Sequence, residues 1–178
     1  IGLWQGDIAS LAVDGIVNAA NGGLLGCFSP NHLCVDNVIH SAAGMQLRDD
    51  CAKLIAAQNH KEESGECKIT RAYNLPSRFV LHTVGPMVRR EVTELDRALL
   101  RSCYRACLET AAEAGLKTIA FCCISTGVFG FPRDEAAELA VGAVLQWKLR
   151  NKDVPLKVLF NTFLEEDTRI YKTILSLT

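Results

Sequence analysis

Apolar residues recur with two different periods along this chain, and the two kinds of segment alternate. Short apolar runs rich in β-branched residues, such as residues 11–17 and 117–124, predict buried strands. Residues 93–114 instead repeat their apolar positions every three or four residues, which predicts an amphipathic helix. The predicted strands are residues 2–5, 11–17, 66–73, 79–85, 117–124 and 156–163. The predicted helices are residues 36–43, 45–58, 93–114, 133–150 and 165–175.

Residues that favour turns and helix ends separate these segments. Asp36 favours the N-cap of a helix that Gly44 ends. Pro132 suits the first turn of the helix over residues 133–150. Because strands alternate with helices, we predict a three-layer α/β/α fold, with a central mixed, largely parallel sheet between two layers of helices.

Length and charge narrow the classes of protein that this chain can be. With 178 residues and 49% hydrophobic content, residues 1–178 are predicted to form a single domain around one core. A net charge of −1 gives no electrostatic basis for binding nucleic acid or an anionic membrane. No apolar run approaches the roughly 18 residues of a membrane span, so we expect a cytoplasmic protein. Since the chain starts at Ile1 without a methionine and already lies in a strand pattern, we expect it to be a fragment, or a processed product, of a longer chain.

Eight cysteines are present, and most of them lie inside apolar patterns. A chain with so large a core does not need a disulfide framework, which favours a reducing, intracellular compartment. Five cysteines are predicted to be buried small hydrophobic residues: Cys51, Cys103, Cys107, Cys122 and Cys123. Cys27 and Cys34 differ, because they lie in a polar connection.

That connection contains the spacing C-x4-H-x-C, formed by Cys27, His32 and Cys34. Thiolates and imidazoles are the ligands that zinc prefers, and three protein ligands leave a fourth position open, as in catalytic sites. Asp36 or His40 could supply a fourth ligand and close the site. The alternative is that these are three loop residues that point in different directions. The spacing favours one zinc ion per chain.

Three roles are compatible with Asp36, which follows the three predicted ligands. It could be the N-cap of the helix, a zinc ligand, or a general base that activates water. His40 and His82 lie in apolar surroundings and are predicted to be packed structural residues, whereas His60 is predicted to be exposed.

Two glycine-rich loops, residues 21–26 and 127–130, directly follow predicted strands. In parallel sheets the carboxyl ends of the strands meet at one edge, where ligands bind, so the two loops should lie side by side. Glycine lets backbone amides approach a ligand, and loop amides near a helix N-terminus favour an anion. The loops therefore fit a diphosphate, although simple tight turns would explain them equally well.

Six segments of the chain, in this order, resemble the macrodomain family. They are GDI at 6–8, VDGIVNAAN at 13–21, LLG at 24–26, VDNVIHSAAG at 35–44, LPSRFVLHTVGP at 75–86 and ISTGVFGFP at 124–132. The chain is most similar to the branch that removes ADP-ribose from proteins. The segment CFSPNHLC at 27–34 resembles the insertion of the zinc-dependent macrodomains within that branch.

The resemblance implies which residues bind ADP-ribose. They are Asp7, Ile8, Asn21, Ser125, Thr126, Gly127, Val128, Phe129, Gly130 and Phe163. Asp7 and the backbone of Ile8 would contact the adenine amino group, and Phe163 would lie against the adenine face. The amides of residues 125–130 would bind the diphosphate.

The resemblance also implies how the distal ribose and the catalytic groups are arranged. Asn21 would hold the distal ribose, and Phe129 would lie against it. Asp36 takes the position of the carboxylate that is catalytic in the zinc-free hydrolases. Those relatives lack the inserted segment at 27–34, which precedes Asp36 in this chain.

These observations predict a zinc-dependent hydrolase that removes mono-ADP-ribose from modified proteins. Cys27, His32 and Cys34 would hold the zinc ion, with Asp36 and Asn21 as the catalytic residues. In the favoured mechanism zinc polarises a ribose hydroxyl or the scissile oxygen while Asp36 draws a proton from water; alternatively zinc carries the water itself. Two other functions use the same binding loops: a reader that binds ADP-ribosylated proteins without cleavage, and hydrolysis of O-acetyl-ADP-ribose. The predicted partners are ADP-ribose and mono-ADP-ribosylated proteins.

Overall fold

The structure is a computed structural model that describes residues 1–29, 32 and 34–177. Its strands within these residues are β1 (Gly2–Gln5), β2 (Gly15–Ala19), β3 (Cys67–Arg71), β4 (Phe79–Thr83), β5 (Thr118–Phe121) and β6 (Lys157–Thr162). Its helices are α1 (Val35–Ala43), α2 (Met45–Gln58), α3 (Glu94–Glu113), α4 (Arg133–Arg150) and α5 (Glu165–Ser176), with one 3₁₀ turn at Ile8–Ser10. In the described part of the chain, no helix is long and apolar enough to cross a membrane.

One sheet connects all six strands, in the order β1-β6-β5-β2-β4-β3. Every neighbouring pair is parallel except β3 and β4, which are antiparallel. The predicted mixed, largely parallel sheet is therefore confirmed. The parallel pairs need long crossover connections, and the helices supply them.

Helices cover both faces of the sheet. Val80 and Leu81 of β4 are neighbours whose side chains point to opposite faces, and both are fully buried. On one side α1 packs on α2, and on the other α3 packs on α4 and α4 on α5. This burial on both faces explains why β2, β4 and β5 have continuous apolar sequences rather than alternating ones.

The first part of the predicted strand over 11–17 was wrong, because β2 begins only at Gly15. Asp14 explains the difference. Its Oδ2 accepts hydrogen bonds from the amides of Lys117 (2.8 Å) and Thr118 (3.1 Å), so it closes a turn onto the start of β5. These hydrogen bonds lower the pKa of the Asp14 carboxyl.

The predicted N-cap role of Asp36 was also wrong. Helix α1 begins at Val35 with Cys34 as its N-cap residue, and Asp36 lies in the first turn. The carboxylate of Asp36 points into the protein and accepts a hydrogen bond from Asn18, instead of capping the helix. Pro132 is likewise the N-cap residue of α4 rather than part of its first turn.

Four of the parallel strands end at the edge of the sheet that carries the predicted ligand residues. Asp7 follows β1, Asn21 follows β2, residues 125–130 follow β5 and Phe163 follows β6. Because β2 and β5 are neighbours, the two glycine-rich loops lie side by side, as predicted. The topology therefore places residues that are distant in sequence along one edge.

Candidate active site

Asp36 is the most deeply buried carboxylate at this edge, with an exposed fraction of 4%. Its Oδ1 accepts a hydrogen bond from Asn18 Nδ2 at 2.8 Å, and its Oδ2 lies 3.4 Å from Asn21 Nδ2. His40 Nε2 lies 3.5 Å from Oδ1. Burial raises the pKa of the Asp36 carboxyl, while the Asn18 hydrogen bond and the charge of Arg48 oppose that rise. The carboxylate is thus a stronger proton acceptor than an ordinary aspartate.

Asn18 was missed by the sequence prediction, although it is fully buried beside Asp36. The available signal was an asparagine in the middle of an apolar strand, since a buried amide must find hydrogen-bond partners. Arg48 was missed as well. Its guanidinium lies 5.1 Å from the centroid of the Phe28 ring. This contact connects α2 to the inserted segment at 27–34, which contains the predicted zinc ligands.

Asn21 closes the glycine-rich loop that follows β2. Its Nδ2 donates to the carbonyl of Gly26 at 3.0 Å, and its Oδ1 accepts from the amide of Gly23 at 3.0 Å. Gly26 has φ +90, and a Cβ there would lie 3.2 Å from the His40 ring. The loop is therefore held against α1, with the Asn21 amide next to Asp36.

Cys27, His32 and Cys34 converge in the described part of the inserted segment. Their ligand atoms lie within 4.8 Å of one another, and all three residues are partly buried. Cys27 Sγ lies 3.2 Å from His32 Nδ1, and Asn37 Nδ2 donates to the His32 carbonyl at 3.0 Å. Residues 30, 31 and 33 of the same segment lie outside the described residues.

The environment of the two thiols differs. The hydrogen bond with His32 lowers the pKa of the Cys27 thiol to about 7, which favours the thiolate form. Burial, together with the neighbouring Cys27, raises the pKa of the Cys34 thiol. A bound cation would favour the thiolate form of both.

A second group, buried between the sheet and α1 and α2, could also hold a metal ion by residue type and distance. His40, Cys51 and His82 bring their ligand atoms within 4.8 Å. Burial lowers the pKa of His40 to about 4 and that of His82 to about 3, and it raises the pKa of Cys51 to about 12. His82 Nε2 already lies 2.9 Å from Thr70 Oγ1. The two histidines are packed in the interior, and His60 is exposed, as their sequence contexts predicted.

The loop over 125–130 presents backbone amides at the end of β5. Ser125 is buried with φ +66, and the carbonyl of Ser125 accepts from the amide of Phe131 at 3.0 Å. Within the described residues, the amides of 127–129 donate to no other group of the chain. Val128 is 72% exposed and Phe129 half-buried. Free amides just before the N-terminus of α4 suit an anionic group.

Asp7, Ile8 and Phe163 form the far end of this edge. The amide of Gly6 donates to the carbonyl of Thr162 at 2.9 Å, which brings the segments after β1 and β6 together. Asp7 Oδ1 accepts from the amide of Ala9 at 2.9 Å, while the Ile8 side chain is buried in the core. Phe163 is 73% exposed. The exposed ring of Phe163 leaves an aromatic face open at this end of the edge.

The fold and the site together define a class of protein: an α/β domain with a buried carboxylate, a loop of free amides and an exposed aromatic ring along the carboxyl edge of its sheet. Comparison with known families agrees with this class. The Macro domain family model matches residues 17–140. The chain belongs to the Macro domain family.

Two curated relatives carry the name Protein-ADP-ribose hydrolase. The protein of Treponema medium is 52% identical over 174 residues, which cover 98% of this chain and 66% of the relative. The protein of Staphylococcus aureus (strain MRSA252) is 53% identical over 171 residues, which cover 96% of this chain and 64% of the relative. The chain thus spans slightly less than two thirds of the length of these relatives.

A solved structure gives the same architecture. It is a mutant of the Oceanobacillus iheyensis macrodomain with ADPR. The TM-score is 0.89 at 40% sequence identity, and the match covers 98% of this chain and 91% of that one. The macrodomain fold predicted from the sequence is therefore confirmed over nearly the whole chain.

Proposed function

We propose that this protein is a zinc-dependent hydrolase that removes mono-ADP-ribose from modified proteins. The observation that carries the proposal is the pairing of a buried, hydrogen-bonded carboxylate, Asp36, with the thiol and imidazole ligands that precede it in the chain. A module that only bound ADP-ribose would need neither. The names of the two curated relatives support the same activity.

The ligand would lie along the carboxyl edge of the sheet. The adenine ring would lie between Asp7 and the exposed ring of Phe163, and the diphosphate would bind the free amides of the loop over 125–130. The distal ribose would then reach Asn21, which follows β2 beside that loop, and Asp36 of α1, which lies next to Asn21. The remaining predicted contacts, the backbone of Ile8 and the side chain of Phe129, lie along the same path.

Asp36 would act as the general base. Its Oδ1 is held by Asn18, and its Oδ2 faces the Asn21 amide. Burial raises the pKa of the carboxyl, which improves proton transfer from an attacking water. Asn21, fixed by its own contacts to Gly23 and Gly26, would orient the ribose so that the water meets the reacting carbon.

The donor set of the loop fits zinc. Two thiols and one imidazole lie within 4.8 Å of one another and are partly exposed. Three protein ligands of zinc leave a fourth position for an oxygen of the substrate or water. Cys27, His32 and Cys34 would hold one Zn²⁺ ion per chain. When bound there, zinc supplies Lewis-acid polarisation of that oxygen.

Two variants test the proposal with an automodified, mono-ADP-ribosylated protein as substrate. The wild-type protein should release ADP-ribose. Asp36→Asn should lower kcat by at least about 100-fold, the lower range for loss of a positioned base, while the Kd for ADP-ribose changes little. Cys34→Ala should lose both zinc and release. Cys67→Ala, which removes a partly buried free thiol outside the loop, is the matched control and should keep both.

The results separate the candidate functions. Release that survives in Asp36→Asn would remove the carboxylate from the mechanism. Binding of ADP-ribose by the wild-type protein without any release would replace the hydrolase with a reader of ADP-ribosylated proteins.

A further inference from the structure

A chain of hydrogen bonds crosses the sheet from its edge strand to the proposed catalytic carboxylate. It begins at Thr70 on β3, whose Oγ1 lies 2.9 Å from His82 Nε2. His82 Nδ1 lies 3.2 Å from Asn18 Nδ2, and the same Nδ2 lies 2.8 Å from Asp36 Oδ1. Nothing in the proposed reaction yet uses Thr70 or His82.

The strand register explains why these side chains meet. Asn18 of β2 lies directly opposite His82 of β4, so both side chains project from the same face of the sheet. Thr70 lies opposite Val80, which makes it the diagonal neighbour of His82 on that face. Asn18 and His82 are fully buried, and Thr70 is 7% exposed. Each side chain is therefore fixed by a strand and shielded from water.

The protonation state of His82 in this chain of hydrogen bonds follows from the carboxylate of Asp36. A carboxylate only accepts hydrogen bonds, so the Asn18 amide must turn its NH₂ group towards Asp36. The second hydrogen of that NH₂ group faces His82 Nδ1, which must then be unprotonated. A neutral imidazole with a bare Nδ1 carries its proton on Nε2, and this N–H donates to Thr70 Oγ1.

We propose that His82, held as the Nε2–H tautomer by Thr70, is a positioning residue that fixes the Asp36 carboxylate through the Asn18 amide. The inference rests on the proposed hydrolase function. His82 itself touches neither the ligand nor the reacting atoms. If the tautomer reversed, a hydrogen on Nδ1 would face the Asn18 NH₂ group, and the hydrogen bond that orients Asp36 Oδ1 would weaken.

This tautomer also bears on metal binding by the buried group of His40, Cys51 and His82. A protonated Nε2 cannot be a metal ligand, and Nε2 is the His82 nitrogen that lies 3.6 Å from Cys51 Sγ. The two uses of His82 therefore exclude each other. The Nε2–H tautomer and a metal-bound Nε2 predict different ¹⁵N chemical shifts for His82.

The tautomer can be measured without any assay of activity. A long-range ¹H–¹⁵N correlation spectrum of the protein with labelled histidine should show His82 with a protonated Nε2 and an unprotonated Nδ1 at pH 7. Assignment uses a spectrum of His82→Gln. A protonated Nδ1, a doubly protonated ring or a metal-shifted Nε2 would each overturn the proposal, whether or not the protein is a hydrolase.

The positioning role is tested with a matched set at Thr70. Thr70→Val keeps the shape and branching of the side chain but removes the hydroxyl, and we expect kcat to fall by about 10-fold, as for other partners that orient a catalytic group. The Kd for ADP-ribose should stay the same. Thr70→Ser restores the hydroxyl and should recover most of kcat.

Thr83→Val is the control for general damage to the sheet. Thr83 lies on β4, is fully buried, and donates from its hydroxyl to the carbonyl of Glu66 at 2.7 Å, outside the chain of hydrogen bonds. This variant should lose stability but keep kcat. An unchanged kcat in Thr70→Val, or an equal loss in Thr83→Val, would overturn the positioning role while leaving the hydrolase proposal intact.

Discussion

At the residue scale, two buried imidazoles make the stability of this protein depend on pH. Burial lowers the pKa of His40 to about 4 and of His82 to about 3, from 6.5 in the unfolded chain. Because the folded-state pKa values are depressed, the stabilisation is fully present above pH 6.5 and is lost as the pH falls towards these values. The unfolded chain binds the protons first.

The free energy of unfolding should therefore fall between pH 7 and pH 5.5 by about 1 kcal/mol for each of the two histidines. Urea unfolding at the two pH values measures this drop. His40→Gln should show roughly half of it, whereas His60→Gln, at an exposed position, should behave like the wild-type protein. Equal drops in the wild-type and His40→Gln proteins would show that His40 is not buried in its neutral form.

The residue scale is also where prediction from sequence was least complete. The grouping of Cys27, His32 and Cys34 could be predicted from their spacing alone, because separations of five and two residues keep them in one loop. Asn18 and Arg48 were not predicted, since they interact with Asp36 only through the tertiary structure. Asp36 was singled out, but its side chain turns inward because a buried amide competes with the helix terminus.

At the element scale, the position of the loop over 125–130 depends on a neighbouring strand end. Gly85 follows β4, and a Cβ at this position would lie 2.0 Å from Ser125 Oγ and 2.7 Å from Ile124 Cγ2. Such contacts force the Ser125 and Ile124 side chains at the start of the loop to shift. Gly85 is therefore needed for space at the candidate diphosphate site.

Gly85→Ala should weaken the binding of ADP-ribose by about tenfold, or roughly 1.4 kcal/mol, although residue 85 itself is not a predicted contact. Calorimetric titration with ADP-ribose measures the effect. Gly142→Ala is the control, because a Cβ at Gly142 meets nothing within 4 Å and the residue lies inside α4. That variant should keep the Kd and gain up to about 1 kcal/mol of stability. If Gly85→Ala kept the wild-type Kd, the loop would not bind the diphosphate.

Elements were well predicted where one physical signal dominated. The helix over 93–114 was found nearly to the residue, since its apolar stripe is long and Thr93 forms a capping box with Asp96. The strand over 11–17 was extended too far. Its first residues are apolar, but Asp14 is bound to the amides at the start of β5, a contact 103 residues away in sequence.

At the scale of the whole molecule, the sheet order explains why a ligand site can form from distant segments. β1 and β6 are neighbours, as are β5 and β2, and all four run parallel. Along the edge formed by their carboxyl ends lie, one after another, the aromatic ring of Phe163, the free amides of the loop over 125–130 and the buried carboxylate of Asp36. The alternation of strands and helices predicted this class of fold, whereas the strand order follows from tertiary packing.

The most direct test of the account combines metal content with release of ADP-ribose from a mono-ADP-ribosylated protein. Metal analysis of the purified protein should give about one zinc ion per chain, from the three ligands of the loop. Removal of the ion by a chelator should abolish release, and added zinc should restore it. Full release from a protein that contains no metal would contradict the zinc-dependent mechanism. Asp36 would then act as the base without a metal ion bound to Cys27, His32 and Cys34.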